Sequence, residues 1–281
     1  MKRTVLVTGA SSGIGLACSL RLARAGWQVH GGVRTPEDAE ALAKKGVESL
    51  ELDVTDAAQI AAAAETLGGE LHGLVDNAGI AIAAPLELVP LDELRHQLEV
   101  NVVGQVAVVQ ALLPALRRAR GRVVLMGSIG GRSALPFLGP YAASKHALEA
   151  IADSLRIELR PLGVEVSIVE PGSIATPIWR KGAERADELR EGFDEERATL
   201  YAPAVARLRE VALARGPGVD PDEVAKAVEH NVAGRVRRRQ IGQLERPRRR
   251  VRNEHGAEAG TERRQDVRLG AVADHPAPIR I

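Results

Sequence analysis

Tyr141 and Lys145 stand four residues apart in Tyr-Ala-Ala-Ser-Lys, and only two tyrosines occur in all 281 residues. On a helix, positions i and i+4 share a face, so the spacing predicts a phenol beside an ammonium. A free tyrosine titrates near ~10 and is a poor base at neutral pH. A neighbouring cation favours the phenolate and lowers that value, leaving a hydroxyl able to give or take a proton. Many helices carry such a pair by chance, so its meaning depends on a second site elsewhere in the chain.

The second site lies near the start. Thr4-Val5-Leu6-Val7 has the apolar, β-branched run of a strand buried on both faces of a parallel sheet. Thr8 to Gly15 then reads T-G-A-S-S-G-I-G, and Leu16, Ala17, Leu20, Leu22 and Ala23 follow at helical spacing. Strand, glycine turn and helix in that order are the context in which a glycine-rich loop is read as a phosphate site. Gly9, Gly13 and Gly15 let the backbone approach a pyrophosphate, and the N–H groups of the helix start face the anion. Three glycines with Ser11 and Ser12 exceed what an ordinary turn needs.

The spacing G-x-x-x-G-x-G together with Tyr141-x-x-x-Lys145 resembles the short-chain dehydrogenase/reductase family, over about residues 3 to 233. Further matches fall in the family's order: Asp53-Val54, Asn77-Ala78-Gly79, Asn101, Ser128, and Pro171-Gly172-Ser173-Ile174-Ala175-Thr176. The resemblance implies an α/β Rossmann-type fold, a doubly wound parallel sheet flanked by helices on both faces in a single domain. It implies hydride transfer between a nicotinamide cofactor and a carbonyl or carbinol carbon. Tyr141 would be the general acid/base, Lys145 would lower its pKa and bond the nicotinamide ribose, and Ser128 would polarise the substrate oxygen. Asn101 would hold a water linking Lys145 to solvent. Gly9, Ser11, Ser12, Gly13, Ile14, Gly15, Asp53, Val54, Asn77, Ala78, Gly79, Pro171, Gly172, Ile174 and Thr176 would hold the cofactor with Tyr141 and Lys145. Read alone, Ser128 could merely end a strand, Asn101 could pair with buried backbone, and Lys145 could be a solvated lysine; jointly the functional reading prevails. A cofactor-binding sensor of the same fold, or a 3-oxoacyl-type reductase, are the alternatives.

Cofactor choice turns on the end of the second strand, Val29-His30-Gly31-Gly32-Val33-Arg34. Val33 cannot accept from a ribose 2′-OH, whereas the Arg34 guanidinium suits a 2′-phosphate. NADP(H) is therefore expected, with NAD(H) possible. Ile129, Phe137, Ile178 and Trp179 are expected to line an apolar substrate pocket with Ser128 and Tyr141, under amphipathic lid helices within about 177–215. The span from Ser128 to Trp179 resembles the retinol and hydroxysteroid dehydrogenase branch, which implies a hydrophobic alcohol, ketone or aldehyde. The resemblance also implies a homodimer or homotetramer.

These residues need a scaffold, and the pattern supplies alternating β and α segments. Strands are expected near 3–8, 27–33, 47–52, 71–76, 121–127 and 163–169, and helices near 13–25, 36–45, 56–67, 90–119, 140–161 and 220–233. Pro36, Pro90 and Pro221 suit first helical turns. Strands alternating with helices predict a parallel sheet with ligand beyond the carboxyl ends of the strands. The formal charge is +1, and the single cysteine, Cys18, fits a buried position in a protein of a reducing compartment. No metal-ligand spacing appears among the seven histidines. His146 is expected on the surface or in packing. Val100 to Leu116 is interrupted by Asn101, Gln105 and Gln110, so it is read as a core helix, with no membrane partner and a cytoplasmic location.

After Gly234 the composition changes. Residues 234–281 hold thirteen arginines against six acids and no aromatic residue. That balance predicts a solvated, disordered tail or a stretch outside the family's reading frame, with Gln240 to Leu244 at most a weak strand. Nucleic-acid binding is not expected, because stacking aromatics are lacking.

Overall fold

Strands β1 (Thr4–Val7), β2 (Gln28–Val33), β3 (Glu48–Glu51), β4 (Gly73–Asp76), β5 (Arg122–Met126), β6 (Glu165–Glu170) and β7 (Ile279–Arg280) form one sheet in the order β3-β2-β1-β4-β5-β6-β7. Every pairing is parallel. The computed structural model describes residues 2–214, 216, 218–234 and 279–280. The expected tail, including the weak strand at Gln240 to Leu244, lies outside them except for Ile279–Arg280. That pair adds to β6 opposite Val169 and Glu170, where the sequence pattern gives no strand.

Side chains alternate across the sheet as the two-residue period requires. Leu6, Leu74, Val123 and Leu125 enter one apolar core, while Val5, Val7, Val75, Val124 and Met126 enter the other. Helices α3 (Ala57–Thr66), α5 (Gly104–Ala119) and α6 (Gly139–Leu159) cover the first face; α1 (Gly13–Arg24), α2 (Pro36–Ala43) and α9 (Pro221–Val232) cover the second. Thr35, Asp56 and Asp220 cap α2, α3 and α9 by accepting from first-turn N–H groups. Cys18 is fully buried, and burial pushes its thiol up to about 12, so it is inert packing. His146 is exposed, its Nδ1 2.8 Å from the Ala142 carbonyl.

The helix expected at 90–119 is not continuous. It divides into α4 (Leu91–Leu98), a wide π turn at Glu99–Val103 and α5, and Pro90 is the residue before α4 rather than its first. Taken as one run, Leu91–Ala119 is long and apolar enough to cross a membrane by length and composition alone. Here it packs against the sheet through Val108, Val109, Leu112 and Leu116. The expected lid segment forms α7 (Pro177–Arg190) and α8 (Glu195–Ala214).

Candidate active site

Beyond the carboxyl ends of the strands a cleft of about 390 Å³ runs from Arg34 and Asp53 past the glycine turn to Tyr141 and Trp179. Every residue expected to hold the cofactor lines it except Gly15. Gly9 and Gly13 take left-handed φ values of 63° and 54°, which side chains rarely adopt. Gly15 serves packing: a Cβ there would stand 2.2 Å from the Gly9 carbonyl oxygen. Unlike α2, α3 and α9, helix α1 has no capping side chain. Its first N–H groups therefore face the cleft beside Ser11 and Ser12, as an anionic pyrophosphate requires. This cradle fits a dinucleotide.

Thr8 and Asn77 bind the two strand ends under that cradle. The Thr8 hydroxyl donates to Asp76 Oδ1 at 2.9 Å and accepts from the N–H groups of Asn77 and Ala78 at 2.8 and 2.9 Å. Asn77 Nδ2 returns bonds to the Thr8 and Gly9 carbonyls at 3.0 and 3.3 Å. Among the described residues the segment after Asn77 has no strand neighbour, and buried amides of the interrupted helix take that place. Gln97 accepts from Ile82 N–H and donates to the Ile80 carbonyl, each at 2.8 Å. Asn101 accepts from Ile80 N–H at 2.9 Å and donates to the Ile80 carbonyl and Ser144 hydroxyl, each at 3.0 Å. Gln105 donates to the Ala78 carbonyl at 2.8 Å. A helical turn rises ~5–6 Å and two extended residues ~6.5 Å, so amides four apart meet alternate residues. The π turn falls on the middle rung.

The other end of the cleft holds Ser128, Tyr141 and Lys145. Ser128 follows β5, accepts from Gly130 N–H at 3.0 Å and hydrogen-bonds Tyr141. Tyr141 is buried, and its ring meets Trp179 edge-on at 5.5 Å. Lys145 is buried beneath it and donates to the Met126 carbonyl at 2.7 Å, with Nζ 5.9 Å from the Tyr141 ring centre. The expected lowering of the Tyr141 pKa by Lys145 is not what this structure shows. Burial raises the phenol above its ordinary value, and only the Ser128 hydrogen bond opposes it. Burial also brings Lys145 down to about 8, against the charges of Asp76 and Glu149. Asp76, fully buried, is pushed up to about 7, against the Thr8 hydrogen bond and the Lys145 charge.

Four expected residues stand away from the cleft wall. Gly15 and Asn101 lie behind it. Ile129 is 44% exposed. Phe137 is carried off by a left-handed φ of 65° and packs edge-on against Tyr201 at 6.2 Å. Ser128, Tyr141, Ile178 and Trp179 do line the cleft. Helix α7 lies across its mouth: a Cβ on Gly182 would stand 2.7 Å from the Ala81 carbonyl oxygen, and Arg185 pairs with Glu93 of α4. Glu93, His96, Lys181 and Arg185 thus give the mouth charged lining that the apolar reading did not include. Thr8 and Asp76 were also missed, although each directly precedes a motif residue at a strand end.

At the far end Arg34 Nη1 lies 3.8 Å from Asp53 Oδ2. Burial tends to raise the Asp53 carboxyl, but hydrogen bonds from Thr55 and the charges of Arg34 and His96 hold it below its usual value.

A glycine cradle at an uncapped helix start, opening onto a buried Ser–Tyr–Lys group, defines an oxidoreductase of the nucleotide-binding α/β class. The model of the short chain dehydrogenase family matches residues 3–187, and the chain belongs to that family, in its hydroxysteroid/retinol-like branch. It is 39% identical over 241 residues to "17-beta-hydroxysteroid dehydrogenase type 1" of Homo sapiens, covering 80% of this chain and 73% of the relative. It is 43% identical over 183 residues to "Retinol dehydrogenase 5" of Mus musculus, covering 62% and 57%. A solved short-chain dehydrogenase from Streptomyces avermitilis superposes with a TM-score of 0.68 at 33% identity, covering 82% and 83%. The chain is an NAD(P)-dependent oxidoreductase acting on CH–OH groups.

Proposed function

We propose that this chain interconverts a hydrophobic alcohol and its ketone or aldehyde with NADP(H), Tyr141 acting as general acid/base. The observation that carries the reading is the buried Ser128–Tyr141–Lys145 group at one end of a cleft whose other end is the glycine cradle. The bound nicotinamide supplies or accepts the hydride; the protein must place the substrate and move its proton. Tyr141, held protonated by burial, donates to the developing alkoxide in reduction; in oxidation its phenolate form removes the alcohol proton. Ser128 orients the substrate oxygen from the phenol's own hydrogen-bond partner. Lys145, which donates to the Met126 carbonyl, would help hold the nicotinamide ribose when the cofactor is bound. The relay read for Asn101 uses the lone pair of Oδ1 that Ile80 N–H does not take. Ile178 and Trp179 supply the apolar contact, which supports a hydrophobic substrate, as the names of the two relatives do.

Arg34 supports NADP(H), because Val33 beside it offers no acceptor for a ribose hydroxyl. Exposed Val103 and Ile157 on the α5 and α6 side support a homodimer or homotetramer there, to be read by light scattering. Cys18 as the sole cysteine supports a cytoplasmic location. The test is a screen of ketones, aldehydes and alcohols with NADPH or NADP⁺, wild type against Tyr141→Phe and Arg34→Ala. The expected result is turnover of apolar compounds, abolished in Tyr141→Phe, with the NADPH preference reduced in Arg34→Ala. Turnover unaffected by Tyr141→Phe refutes the mechanism, and an NADH preference that survives Arg34→Ala refutes the cofactor assignment.

A further inference from the structure

Beneath the proton-transfer groups lies an acid that the mechanism leaves unused. Asp76 ends β4 and is fully buried. Thr8 donates to its Oδ1 at 2.9 Å, and Oδ2 has no hydrogen-bond partner among the described residues. The register of β4 on β5 sets Asp76 opposite Leu125, one residue before the Met126 carbonyl that holds Lys145 at 2.7 Å. Two strand ends therefore bring a buried carboxylate and a buried ammonium to the floor of one cleft.

The charges bearing on Lys145 come from β4 through Asp76 and from its own helix through Glu149. They are not equivalent. Glu149 is answered by Arg132 at 2.8 Å, which also binds Glu170 of β6 at 3.0 Å, and Asp153 and Arg156 act on it as well. Asp76 is met by a neutral hydroxyl and by Lys145.

We propose that Asp76 is a positioning residue for proton transfer, its buried carboxylate being the counter-charge that keeps Lys145 an ammonium in the water-poor floor of the cleft, with Thr8 aiming it. This deepens the reading of Lys145 as the cation of the catalytic pair. A buried amine without a counter-charge sheds its proton, and a neutral Lys145 has no charge to offer in the site 5.9 Å from the Tyr141 ring centre. The opposed effects of burial and mutual attraction on Asp76 and Lys145 are those of such a pair.

The test is an NMR titration of the full, cofactor-free chain labelled at lysine Cε. The chain has six lysines, and the Lys145 signal is assigned by its loss in Lys145→Met. Asp76→Asn keeps the volume and an acceptor for Thr8, so a purely structural Asp76 predicts an unchanged Lys145 midpoint. The expected result is a midpoint lower by about one unit or more, the size of an opposite charge nearby. An unchanged midpoint in folded Asp76→Asn overturns the proposal. If that variant does not fold, the Asp76 carboxyl signal in Lys145→Met decides: its midpoint is expected to rise, and an unmoved one overturns the proposal. No substrate enters the titration. A chain that turns over nothing yet shows the coupling would sink the reaction and leave Asp76 standing; the reverse outcome would separate them equally.

Discussion

Gly15→Ala sets two effects of opposite sign against each other. Gly15 is the third residue of α1, and alanine inside a helix is favoured over glycine by about 1 kcal/mol. Against this, the new Cβ would stand 2.2 Å from the Gly9 carbonyl oxygen and 2.6 Å from Asn77 Nδ2. Ordinary contact begins at 3.4 Å, so the turn or the helix must give by ~1 Å, an overpacking that costs ~1–3 kcal/mol. The Gly9 backbone cannot yield freely, because Asn77 ties it to Thr8 at 3.0 Å and to itself at 3.3 Å. Losing one of those bonds adds ~1 kcal/mol. The net expectation is destabilisation by ~1–3 kcal/mol, read as a lower urea midpoint at unchanged slope, with weaker binding of the nicotinamide cofactor. Gly69→Ala, where no atom lies within 4 Å of the new carbon, should stay within ~0.5 kcal/mol of wild type. Gly15→Ala as stable as wild type, or more so, refutes the steric account.

Two further outcomes follow from charge. Asp76 and Glu149, each raised to about 7, hold protons that the unfolded chain releases near ~4. Their stabilisation is complete below the unfolded values and is lost as pH rises through about 7, so urea midpoints should fall between pH 5 and 7.5. The Asp76 share is ~2–3 kcal/mol, and an equal fall in Asp76→Asn would refute it. Asp53, held low, acts in the opposite sense at the acid end, and Lys145, lowered to about 8, adds stability as pH rises above that value. Arg21 binds Asp222 at 2.9 Å and Glu229 at 2.7 Å, tying α1 to α9. Arg21→Met should cost ~1 kcal/mol and lower Tm by a few degrees, and an unchanged Tm would show that the helices hold without it.

The fold was legible because parallel strands buried on both faces read as apolar runs, and because Thr35, Asp56 and Asp220 stand where helices begin. The cofactor half of the site was legible for a related reason: close backbone approach leaves glycine spacing behind. Electrostatics was not. The interval between Tyr141 and Lys145 gives a shared helix face but says nothing of desolvation, which reverses the expected direction for the phenol. The π turn at Asn101 was invisible because helical pattern does not distinguish a four-residue from a five-residue bond; contacts with Ile80 and Ser144 accompany it. Phe137 and Ile129 sit near the motif in sequence, yet a left-handed φ turns Phe137 toward Tyr201 and Ile129 is left 44% exposed.

The amide ladder of Gln97, Asn101 and Gln105 fixes a chain length as well as a position. One residue inserted between 78 and 82 would present the wrong backbone groups to three buried side chains, at ~1–3 kcal/mol for each one left unmatched. That wall of the cleft is therefore closed to insertion and deletion, whereas α7 and α8 meet the body through side-chain contacts such as Trp179 on Tyr141, Gly182 on Ala81, Arg185 on Glu93 and Tyr201 on Glu87. Anyone seeking a new substrate range by loop exchange should graft within 177–214 and leave 78–105 intact, because only the first can change shape without dismantling the floor beneath Tyr141.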